Sequence, residues 1–118
     1  MTAGPYSIGS VRWPGLAKVI EECGEVVQAA GKIIAANGDG RHWDGSDLRQ
    51  RLEDELADAQ AAMAFAIDMN GLDSERMLNR TADKLAMFQK WHREHSDGTA
   101  KPDAPGSPDQ LPLPGVLP

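Results

Sequence analysis

A chain of 118 residues has the length of one compact domain with a core of its own. Its 12 basic and 18 acidic residues leave a net charge of −6, which argues against a binder of DNA or RNA backbones, since that needs a basic face. Cys23 is the only cysteine, so no intrachain disulfide forms, as expected of a reducing cytoplasm. The opening MTAGPYSIGSVRWPG lacks a basic start followed by an apolar run and does not read as a signal peptide. No apolar stretch approaches the roughly 20 residues of a membrane span. A soluble cytoplasmic protein without membrane or nucleic-acid polymer partners is expected.

Residues 1–12 read as an irregular segment. A first helix is predicted from about Pro14 to Ala36, with Pro14 in its first turn and NGDG at 37–40 ending it. Leu16, Val19, Ile20, Cys23, Val26, Val27, Ala30, Ile33 and Ile34 recur at steps of three and four. A second helix is predicted from about Asp47 to Asn70, capped by Ser46 or Asp44 and stopped by Gly71. Its seam is Leu48, Leu52, Glu55, Ala59, Met63 or Ala62, and Ala66. A third, from about Glu75 to Glu94, is capped by Asp73 or Ser74, with Leu78, Ala82, Leu85, Phe88 and Trp91 as its stripe. No run alternates with period two. The short GLDS connection implies antiparallel neighbours, and an all-α antiparallel bundle follows. Residues 96–118 hold six of the eight prolines and no helical period, and read as a disordered or extended tail.

The carboxylates carry the chemistry. With 100° per residue, Glu22 falls at the edge of the apolar arc of the first helix, Glu25 about 60° further round and Glu21 beyond it. Glu55 sits inside the seam of the second helix, with Asp58 near the opposite border and Glu53 and Asp54 projecting away. A carboxylate at a seam position is costly unless something positive meets it, and Arg51 is the only basic residue from 51 to 62. Two facing pairs at i, i+3 bring four carboxylates together, which then take up protons or bind a cation. A hard divalent ion with oxygen ligands, Mg²⁺ or Mn²⁺, suits Glu22, Glu25, Glu55 and Asp58. The competing reading is a solvated helix face with Lys18 paired to Glu22.

EECGE at 21–25 and ELAD at 55–58 resemble the E-E-x-x-E … E-x-x-D motif of the MazG-like all-α nucleoside triphosphate pyrophosphohydrolases. The likeness spans about residues 13–95, the expected helical domain, and all five acidic positions match. The spacer, residues 26–54, is at the long end for the family, the extra length lying in the NGDGRHWDGSD loop. The resemblance implies hydrolysis of a (deoxy)nucleoside triphosphate between the α and β phosphates, giving monophosphate and pyrophosphate. It implies Mg²⁺, with Mn²⁺ as a substitute, held by Glu22, Glu25, Glu55 and Asp58. Glu21 and Glu22 are the expected catalytic carboxylates, Glu21 orienting water or a second ion, or simply facing solvent. A homodimer or homotetramer completing the bundle is also implied. Within the fold, a phosphoribosyl-ATP pyrophosphohydrolase is the alternative enzyme.

Substrate-binding candidates are Lys84, Arg80 and Asn79 on the third helix, with Trp13 and Trp43 able to stack on a base. His42 and Arg41 lie in a Gly-rich loop that could close over phosphates. Trp91 reads as core, Cys23 as a core-facing inert thiol, and HREH at 92–95 lacks the further ligands of a zinc site. The rival from another class is a catalytically silent helical module that uses the acidic groove for a partner or a cation.

Overall fold

The computed structural model describes residues 4–41 and 46–96, and these are all-helical. α1 spans Leu16–Ala35, α2 Leu48–Met69 and α3 Ser74–His95. No strand occurs among the described residues; a single antiparallel bridge joins Arg41 to Asp47. The expected tail from 97 onward lies outside the described residues, as do Asp44 and the loop residues His42 and Trp43. The chain divides into two compact units, one ending at Asp73 and the other beginning at Ser74.

In the first unit, α1 starts later than Pro14 because the chain turns sharply before it. Gly15 is left-handed at φ 84° and Trp13 at φ 46°. The Ala17 and Gly15 amides donate back to Tyr6 O (2.8 Å) and Ser7 O (3.1 Å), fixing the irregular segment against the helix start. The helix ends as expected. Asn37 and Gly38 take positive φ, and the Gly38 amide donates to Ile33 O at 2.9 Å, a carbonyl that the Ala36 amide also reaches at 3.1 Å. The cap of α2 is Asp47, not Ser46 or Asp44: its Oδ1 accepts from the Gln50 amide at 2.9 Å. The Leu48 amide donates to Gly40 O at 2.8 Å, which ties Gly40 directly to the helix start.

α1 and α2 run antiparallel, since Arg51 meets Glu25 near one end while Asn70 Nδ2 donates to Pro14 O (3.0 Å) at the other. Their contact is made of small residues. Ala29, Ala59, Ala62 and Ala66 are buried, with Leu48 the largest fully buried side chain. The α2 seam follows the sequence reading, with Ala62 rather than Met63 inside. The α1 stripe does not: Ala29, outside the predicted set, is its most buried residue, whereas Ile20, Val27 and Ile34 are 70%, 72% and 76% exposed. The helix turns one border of its apolar arc to α2 and leaves the opposite border bare, with Val19, Cys23 and Ala30 half-buried between them.

In the second unit, α3 includes Ser74, which is therefore inside the helix rather than its cap. Of its predicted stripe only Trp91 is buried; Leu78, Leu85 and Phe88 are exposed. Phe88 packs on Trp91 with ring centroids 5.8 Å apart.

Candidate metal centre

The small-residue contact brings the acidic borders of α1 and α2 within reach of each other. Carboxylate oxygens of Glu22, Glu55 and Asp58 lie within 4.8 Å of one another. Glu22 and Glu55 are half-buried and Asp58 is exposed, so the triad opens to solvent on one side. Glu55 and Asp58 share a face of α2 because they are three residues apart, and Glu22 faces them across the antiparallel pair. Three hard oxygen donors this close could hold a metal ion.

Glu25, expected as a fourth ligand, is not gathered with the triad. It faces Arg51 of α2, whose Nη2 is 3.9 Å from Glu25 Oε1 and whose Nε is 3.7 Å from Glu55 Oε2. The Glu55 side chain is only 16% exposed. Its carboxyl titrates above the usual carboxylate range, chiefly because burial disfavours the charge, then because Glu25, Asp58 and Glu22 repel it; Arg51 acts in the opposite sense. Glu21 turns to solvent. It accepts a 2.7 Å hydrogen bond from Lys18 Nζ, so the cation pairs with Glu21 rather than Glu22, and this pairing raises the Lys18 pKa. Glu53 and Asp54 are exposed, as predicted.

Beside the triad is a hollow of about 390 Å³ lined by Ile8, Lys18, Glu22, Asp58, Ala61, Ala62 and Phe65. That volume is in the range of small-molecule sites, about 300–1,000 Å³. Two of its walls, Glu22 and Asp58, are also triad members. Phe65 is held by close packing: a Cβ on Gly15 would lie 2.6 Å from its Cδ2. Sequence reasoning missed this hollow. Phe65 and Ala62 follow Asp58 at steps of seven and four, a signal that was there to be used; nothing in the sequence tied Ile8 to them.

Among the substrate-binding candidates, Trp13 is 49% exposed just before α1, and Trp43 lies outside the described residues. Arg80 and Lys84 line a separate groove on α3 with Arg76, Met77, Thr81, Leu85 and Phe88, and Asn79 is exposed. Lys84 Nζ stands 5.8 Å from the Phe88 ring centroid. Cys23 is half-buried and makes no disulfide. No described helix is long and apolar enough to cross a membrane.

Comparison with family models, with curated proteins and with solved structures returns no match.

Proposed function

We propose that this chain is a Mg²⁺-dependent pyrophosphohydrolase of the MazG-like type. It cleaves a (deoxy)nucleoside triphosphate to monophosphate and pyrophosphate. The observation that carries the reading is the meeting of Glu22, Glu55 and Asp58 within 4.8 Å beside a hollow large enough for part of a nucleotide. The three carboxylates would hold the ion. When bound, it neutralises phosphate charge and makes water more acidic, which lets a protein of net charge −6 accept a polyanion.

The chain's own residues do the rest. Ile8, Ala61 and Phe65 offer an apolar wall to the nucleoside, while Lys18 brings a cation to the rim. In the reaction, water oxygen forms a bond to phosphorus, the bridging anhydride P–O bond breaks, and the water proton passes to a carboxylate. Glu22 and Glu21 are the carboxylates we assign to that transfer; Glu22 belongs to the triad, and Glu21, held by Lys18, is its neighbour in sequence. Arg80 and Lys84 remain phosphate candidates through the basic groove of α3.

The protein acts as a homo-oligomer in this reading. Ile20, Val27 and Ile34 repeat at seven-residue steps on α1 and are bare, and Leu56 and Met63 do the same on α2. Surface of that kind in a soluble protein marks an association face. The same exposed apolar residues also favour the rival, a helical interaction module without turnover.

The discriminating experiment incubates purified protein with a panel of triphosphates and Mg²⁺ and assays pyrophosphate. The enzyme reading expects turnover that chelator abolishes and that Glu55→Gln lowers by at least about a hundredfold, the effect of losing several kcal/mol of transition-state stabilisation. No turnover on any nucleotide, with helical content intact, leaves the module.

A further inference from the structure

We propose that Arg51 is an internal counter-cation that competes with a divalent ion for Glu55 and thereby sets how tightly the triad binds metal. The proposal rests on the metal reading above but concerns a residue outside the motif. Arg51 lies between two acidic side chains from different helices, 3.9 Å from Glu25 and 3.7 Å from Glu55. Charge-assisted hydrogen bonds are about 2.7–2.9 Å long, so neither contact is one. The guanidinium is held by the combined field of both carboxylates, without the fork geometry that would lock it to either.

Glu55 belongs to both arrangements, as the partner of Arg51 and as a member of the triad. The charges facing Glu55 are Glu25, Asp58 and Glu22 against the single cation of Arg51. A guanidinium cannot shed its charge at any pH at which the protein is folded. A divalent ion arriving at Glu55 therefore meets a fixed positive charge a few ångströms away. The Arg51 side chain is 37% exposed, which leaves it room to swing off Glu55 and stay with Glu25. Without metal, Arg51 moderates the repulsion among the carboxylates; with metal, it opposes the ion.

The test is a Mn²⁺ titration of the full chain, followed by electron paramagnetic resonance of the free ion, for wild type, Arg51→Met and Arg51→Lys. Arg51→Met keeps the alkyl stem and removes the charge. Mn²⁺ should bind it about tenfold more tightly, the scale of a screened repulsion at this distance. Arg51→Lys keeps the charge and should stay within about threefold of wild type. The metal-free melting temperature of Arg51→Met should fall while its rise on saturation with Mn²⁺ grows. Arg51→Gln carries the same expected sign should the methionine variant not fold. Equal or weaker Mn²⁺ binding by the uncharged variants overturns the proposal and makes Arg51 a strut between the helices. Absence of binding by wild type and variants alike overturns the metal reading itself, whereas binding by the uncharged variants alone is the proposed effect at its extreme.

Discussion

Replacing Glu55 by glutamine removes a negative charge from a place where Glu25, Asp58 and Glu22 already oppose it. Metal-free Glu55→Gln should therefore be at least as stable as wild type, even as the proposed function expects it to lose turnover. The pH dependence follows from the raised pKa. The folded state binds the Glu55 proton more tightly than the unfolded chain, so the favourable contribution of this group is complete below the ordinary glutamate value. It is lost as pH rises through the raised folded value. Denaturant titrations of the metal-free proteins should show wild type losing ground to Glu55→Gln across that window. A difference that runs the other way would mean Glu55 is stabilised as an anion by Arg51. If the triad holds an ion, acid should release it, because a protonated Glu55 cannot ligate.

At the scale of elements, the join between the irregular segment and α1 bears on the site. Gly15 is at φ 84°, and an added Cβ would meet the Phe65 ring at 2.6 and 2.8 Å. Gly15→Ala should cost roughly 2 kcal/mol from the left-handed backbone and the displaced ring together, read by urea denaturation. Because Phe65 lines the hollow, the substitution should also raise KM for every triphosphate in the panel. The helices themselves were legible in the sequence. Periodicity placed all three, and glycine and asparagine at 37–38 and 70–71 marked the right ends. The errors were local. Asp47 caps α2 through its own side chain, a choice among Asp44, Ser46 and Asp47 that spacing alone does not decide. Pro14 lies outside α1 because two left-handed residues flank it.

For the whole molecule, apolar period and buried face are different things. The stripe of α1 was read as core, yet Ala29 is buried while Ile20, Val27 and Ile34 are bare. Period reports that a face seeks cover, not which chain supplies it. The approach of Glu22 to Glu55 and Asp58 was legible because Glu22 lies at the arc border of the first helix and Glu55 in the seam of the second, with Asp58 one turn on. The diversion of Glu25 to Arg51 was not, because it depends on where one long side chain rests. If the bare stripe is an association face, wild type should exceed the monomer mass in light scattering, and Ile20→Glu with Val27→Glu should reduce it to the monomer with helicity retained. A monomeric wild type would remove the oligomer from the proposal.

The alanines between α1 and α2 have a consequence for ion choice. Ala29, Ala59, Ala62 and Ala66 act as a thin shim, letting the two rods lie close enough for short acidic arms to converge. Thickening it with Ala62→Leu should wedge the rods apart and widen the oxygen cage. Preference in a competition titration should then drift from Mg²⁺, which demands oxygens at 2.0–2.1 Å, toward the larger Ca²⁺ at about 2.3–2.6 Å. If the triad holds a metal, the gauge for ionic radius is the methyl group, not the carboxylate.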